Sequence, residues 1–172
     1  MPRFAAIILV DPAGRLLLQE RDEHAPIDPD RWGLVGGHLD DGEDFERAAY
    51  RELAEETGVV LSAGELTLWR EFAVDHRAST GSIDPMQVFV APTTLTDADI
   101  VCGEGRQIVF VDPDRAQRLP LTAAAAEIVP AFLVPHWDGA HRTTMRASCP
   151  GERASRASRV RSGQSSNSAS AT

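Results

Sequence analysis

Short apolar blocks separated by turn-forming residues fill most of the chain, and their period is that of strands more often than of helices. Residues 4–10, FAAIILV, form a continuous apolar run that ends in the turn DPAG, and a second run, RLLLQER, follows at once. The two predict strands over 3–10 and 15–21, followed by a loop through Pro26 and Pro29. A short extended piece at 32–35 enters the glycine pair Gly36 and Gly37. Further strands are expected at 65–74, 86–91 and 107–111, with a helix at 121–133 that is open to interruption at Pro130. No internal repeat is present. Strands interleaved with only two substantial helices predict an α/β domain, a mixed sheet with helices on its faces.

The other predicted helix, over 44–57, is the informative one. Asp44 follows Gly42 as a helix-capping residue, and Gly58 stands where a left-handed residue would stop the helix. With Phe45 as zero on a helical wheel, Ala48, Ala49 and Leu53 fall at about −60°, +40° and +80°. Glu52, Glu55 and Glu56 fall at about −20°, −80° and +20°, in the same apolar half. Glu46, Arg47, Tyr50, Ala54 and Thr57 take the opposite half.

A solvated acidic face would lie opposite Phe45 and Leu53, and this one does not. Two carboxylates ~6 Å apart repel by roughly 3 kcal/mol at an effective dielectric near 20. Glu55 and Glu56 also occupy the last helical turn, where the macrodipole disfavours negative charge. Arg51 can pair with Glu55 at i, i+4, which neutralises one acid in the weaker order. Local rules broken together in this way mark a functional site. A hard divalent cation held by oxygen ligands would relieve the repulsion.

The same residues fit the pattern G-x5-E-x7-R-E-U-x-E-E-x-G-U, with U aliphatic, at every fixed position: Gly37, Glu43, Arg51, Glu52, Leu53, Glu55, Glu56, Gly58 and Val59. The chain therefore resembles the Nudix hydrolases, the MutT-like family. The motif covers one short window, and the flanking strand pattern extends the resemblance to residues 3–134. Val35 stands where many members carry Pro before the paired glycines. The resemblance implies the Nudix fold, an α/β/α sandwich with a mixed β-sheet. It also implies Mg²⁺, with Mn²⁺ as the alternative, held by Glu52, Glu55, Glu56 and the Gly36 carbonyl.

The implied activity is hydrolysis of a phosphoanhydride in a nucleoside diphosphate linked to another group. Arg51 would orient Glu52 or Glu56, and Glu52 is the first choice of general base with Glu104, in the loop VCGEGRQ, the second. Arg21 ends the second strand, where members often present Arg to a substrate phosphate; the alternative is a surface charge at a strand end. Gly37 and His38, the latter a loop residue, would lie near the phosphates, and Glu43 would support the helix start and the ion's outer shell. Trp32 reads as packing over the glycine loop rather than stacking on a base.

Subgroup markers after the motif, a Pro for ADP-ribose or a Tyr for dinucleoside polyphosphates, are missing from EFAVDHRAST. A nucleoside triphosphate is the default substrate, and ADP-ribose or a nucleotide sugar the runner-up. A nucleotide-sensing domain without turnover is the alternative of another class; the intact acids argue against it.

Composition adds the setting. At 172 residues and 42% hydrophobic content, the chain is sized for one domain with a core. Residues 136–172 carry eight Ser and six Arg against Asp138 and Glu152, so this tail is +4 and the body −13. Such a stretch is expected to be disordered, leaving 1–135 as the domain. The acidic body argues against duplex nucleic acid as a partner and for a small nucleotide; a homodimer is left open. Seventeen Arg without a Lys read as a GC-rich genome rather than a binding surface. Cys102 and Cys149 suggest neither a disulfide framework nor a zinc site, and no segment has membrane-spanning length. A cytoplasmic protein is expected.

Overall fold

Both faces of the first strand are covered, which is why all seven of its residues are apolar and buried. Phe4, Ala6, Ile8 and Val10 belong to one core, whereas Ala5, Ile7 and Leu9 belong to a second on the other face of the sheet. Ile128, Val129 and Phe132 of the C-terminal helix close the first core. Ala48, Ala49 and Leu53 of the acid-bearing helix close the second. The protein is thus a helix–sheet–helix sandwich, the architecture expected from the sequence. The computed structural model describes residues 2–77 and 81–134.

In chain order the elements are β1 (Phe4–Val10), β2 (Leu16–Glu20), β3 (Trp32–Gly33), β4 (Val35–His38), α1 (Phe45–Thr57), β5 (Thr67–Asp75) and β6 (Ile83–Pro92). A 3-10 turn at Asp97–Asp99 precedes β7 (Gln107–Val111), α2 (Pro113–Ala116) and α3 (Ala123–Leu133). The seven-stranded sheet runs β3-β2-β1-β6-β5, with β4 paired to β1 and β7 to β2. It is mixed: β1 and β6 are parallel, from Phe4 opposite Met86 to Val10 opposite Pro92, and the other strand pairings are antiparallel. β4 runs along the first half of β1 and lays Gly36 and Gly37 against Ala6 and Ala5. That pairing delivers the glycines to α1.

Several expectations need correction. The extended piece at 32–35 is two strands, β3 and β4, with different partners. His38 ends β4 rather than lying in a loop. β6 is longer than 86–91, and β5 has a register shift between Leu68 and Arg70. α3 runs through Pro130 without a break. Thr57, expected on the solvated half of α1, is fully buried, because its carbonyl accepts the N–H of Val101 from a loop that crosses the helix end. Trp32 is buried by packing, as anticipated, and the cluster it joins is the first core, closed by the C-terminal helix. No helix among the described residues is long and apolar enough to cross a membrane. The expected disorder of 136–172, and Cys149 with it, lies outside the described residues.

Candidate active site

The rotation of α1 about its axis is fixed before any acid is considered. Asp44 caps the N-terminus by accepting the N–H of Arg47, and Gly58 ends the helix at φ +70°, a left-handed conformation that costs a residue with a side chain. Ala48, Ala49 and Leu53 bury fully against the sheet. With those three inward, Glu56 one turn beyond Glu52 also faces inward, against β4. Glu56 is only 5% exposed, and its Oε2 accepts the Gly36 N–H at 3.0 Å. Glu52 lies beside it, its side chain 14% exposed. Glu55 does not share this environment: its side chain is 61% exposed, the edge of the wheel having turned to solvent.

Arg51 does more than pair with Glu55. Its guanidinium donates to Glu52 Oε1 at 2.7 Å, Glu55 Oε2 at 3.0 Å, both oxygens of Glu43 at 2.8 and 3.1 Å, and the His38 carbonyl at 2.9 Å. The expectation that it neutralises a single acid was too small. Glu43 also accepts the Asp40 N–H, and the Arg51 hydrogen bond holds its carboxyl below the usual range. Arg51 thus fastens the helix to the strand end that precedes it. It contacts Glu52 but not Glu56.

Glu56 is the exception to this neutralisation. Among the described residues its hydrogen-bond partner is a backbone N–H, and it forms no ion pair. Burial pushes its carboxyl up to about 8; the Gly36 N–H pulls the other way, and the charges of Glu52 and Glu104 add to the rise. Burial raises Glu52 as well, with Arg51 opposing. Between 4.5 and about 8 the folded metal-free chain keeps a proton on Glu56 that the unfolded chain has released. Stability should therefore fall as pH rises through that window, by up to about 1.4 kcal/mol per pH unit. Thermal melts in chelator from pH 5 to pH 8 would check this, and a flat or rising profile would contradict it.

Gly37 is where the close approach of strand and helix is needed. A Cβ built there would stand 2.6 Å from Glu52 Oε1 and 2.8 Å from Oε2, so the absence of a side chain is what admits the carboxylate. Gly37→Ala should displace the flexible end of Glu52 and leave the backbone in place. Stability should drop by no more than about 1 kcal/mol, as small overpacking does, while turnover falls at least about tenfold. Chemical denaturation beside steady-state hydrolysis measures both, and an unimpaired variant would mean that Glu52 is not used.

The loop after the 3-10 turn completes the wall. Val101 and Gly103 donate their N–H groups to the carbonyls of Thr57 and Glu56, satisfying the open end of α1. Glu104 is thereby brought close enough to raise both Glu52 and Glu56 electrostatically. A pocket of about 380 Å³ opens there, lined by Glu52, Glu56 and Glu104 together with Arg21, Gly36, Gly37 and His38. Arg21 donates from Nε to the Ile27 carbonyl, and its charge acts on Glu56. His38 is exposed, its ring 4.2 Å from that of Phe4. The predicted residues converge on this pocket with four exceptions: Glu55 lies on the outer side of the helix, Arg51 and Glu43 brace Glu52 without lining the pocket, and Gly58 ends the helix. Asp40, Phe4 and Asp28 also line the pocket and were missed. Asp40 had a signal, the acidic pair inside the motif between Gly37 and Glu43; Phe4 and Asp28 had none.

Among the described residues no three acidic, His or Cys side chains form a ready metal cage. Glu52 and Glu55 are turned to Arg51 instead. The donor set nonetheless suits Mg²⁺, which takes one or two carboxylates and draws its other ligands from water and substrate phosphates. Glu56, a buried carboxylate without a cation of its own, completes the fit.

The family model described as NUDIX domain matches residues 1–132. The chain belongs to the Nudix family. An RNA pyrophosphohydrolase of Caulobacter vibrioides is 51% identical over 53 residues, 31% of this chain and 30% of that one. The nucleoside triphosphatase NudI of Escherichia coli is 36% identical over 72 residues, 42% of this chain and 50% of that one. The chain thus spans half or less of the length of these relatives. The Nudix domain of Shewanella oneidensis NrtR, solved in complex with ADP ribose, superposes with a TM-score of 0.62 at 18% identity, covering 75% of this chain and 84% of that one. That likeness bears on the fold alone.

Proposed function

We propose that this Nudix domain hydrolyses a phosphoanhydride bond in a nucleoside diphosphate linked to another group, with a nucleoside triphosphate as substrate. The observation that carries the reading is Glu56, a buried carboxylate without an ion pair, beside Glu52 and Glu104 at a pocket that also holds Arg21. Glu52 and Glu56, with Glu55 and the Gly36 carbonyl, would hold Mg²⁺ or Mn²⁺. Such an ion neutralises phosphate charge as it develops in the transition state. Arg21 binds a phosphate oxygen, and Gly37 and His38 border the phosphates. Arg51 fixes the carboxylate of Glu52, which takes the proton of the attacking water, with Glu104 as the other acceptor. Glu43 acts by holding Arg51.

ADP-ribose is the second reading; it is the ligand of the NrtR domain, and no marker in this chain favours it. A screen with Mg²⁺ over the common nucleoside triphosphates, ADP-ribose, a nucleotide sugar and a 5′-triphosphorylated oligoribonucleotide tests both. Pyrophosphate from a triphosphate is the expected product. Nucleoside monophosphate with ribose phosphate would favour the second reading. Tight binding without any product would leave a sensor and sink the hydrolase.

A further inference from the structure

Gln19 breaks the apolar pattern of β2. Leu16, Leu17 and Leu18 precede it in the core, and Gln19 is as buried as they are, at 2% exposure. Its register partners are Gly33 and Ile108, which offer its side chain no polar group of their own. Its Nε2 instead donates at 3.3 Å to the carbonyl of Glu104, 85 residues away. The Oε1 has no partner. Because a carbonyl can only accept, the amide cannot be turned around to relieve that oxygen. A buried amide with half of its hydrogen bonding unmet is a poor stability device; an apolar side chain of the same shape would serve the core as well or better.

The segment it reaches has no helix or strand to hold it. Residues 101–106 are tied to the end of α1 by Val101 and Gly103 and to the end of β2 by the Arg106 N–H on the Glu20 carbonyl. At Glu104 itself the backbone carbonyl is held by Gln19 and by the exposed Cys102 thiol at 3.2 Å. Of these two donors, Gln19 is the one that comes from the rigid sheet. We propose that Gln19 is a positioning residue, which sets where the Glu104 carboxylate stands relative to Glu52 and Glu56. This rests on the reading above, in which Glu104 serves the reaction.

Gln19→Met keeps the length and apolar body of the side chain and removes both polar atoms. The test is a cycle of four chains: unaltered, Gln19→Met, Glu104→Gln and the double variant. Each is assayed for phosphate and pyrophosphate release from a mixture of the common nucleoside triphosphates with Mg²⁺, and each is melted in chelator. Gln19→Met should release product about tenfold more slowly, a loss in the range that a misplaced catalytic group produces. Its Tm should be unchanged or higher, which a merely structural role would not allow. In the Glu104→Gln background the same change should cost nothing further, because the two act as one unit. Full activity in Gln19→Met, a lower Tm or failure to fold, or equal losses in both backgrounds would each overturn the proposal. A fully active Glu104→Gln chain would instead end the assignment of Glu104, and no turnover by the unaltered chain would end the hydrolase reading.

Discussion

Glu56→Gln should lower hydrolysis at least ~100-fold, or roughly 2.7 kcal/mol of transition-state stabilisation, and leave the metal-free fold no less stable. The two halves have a common cause. Glu56 is buried beside Glu52 with a single backbone N–H as its partner. In the metal-free chain its carboxyl is pushed up to about 8, so at lower pH it already carries a proton. Gln is close to an isostere of that protonated form, and its oxygen can still accept from Gly36. Melts of the two chains should coincide below about 4.5, and the variant should melt progressively higher as pH rises from there to about 8. With ion and substrate present, the same change removes an anionic ligand. A variant that is destabilised at neutral pH would make Glu56 a structural residue. One that is stable and fully active would remove it from the site.

Loss of the divalent ion should abolish turnover altogether. Dialysis against EDTA is expected to leave no measurable nucleotide hydrolysis, and added Mg²⁺ or Mn²⁺ to restore it. Arg51 is the only cation among the described residues in ion-pair contact with this acid face, and it is spent on Glu43, Glu52 and Glu55. Arg21 acts on Glu56 from a side chain tied to the Ile27 carbonyl. With Arg51 committed, Arg21 is a single charge against the several on a substrate's phosphates entering beside three carboxylates. Undiminished hydrolysis in chelator would mean that some other group supplies it.

The sequence made the sandwich legible because each layer wrote a distinct period. FAAIILV is continuous since β1 is covered on both sides, and α1 shows a helical stripe because only one of its faces packs. The inward Glu52 and Glu56 could be read from that stripe. The exposure of Glu55 could not, since a residue at the edge of the stripe turns in or out according to what packs beside it, and here Arg51 draws it outward. The burial of Thr57 depends on a loop more than forty residues later in the chain, which no local period records. The many contacts of Arg51 escaped for a similar reason: Glu43 and the His38 carbonyl meet it only once β4 has paired with β1. Gln19 was visible as a polar letter in LLLQE, yet its partner was not.

The central claim is that the inner face of α1 binds a divalent ion through Glu56. The most direct measurement is calorimetric titration of Mn²⁺ into the unaltered chain and into Glu56→Gln at pH 8, without nucleotide. Saturable binding to the unaltered chain, weakened at least about tenfold in the variant, is the predicted result. Equal binding by both chains, or none by the unaltered one, would contradict it.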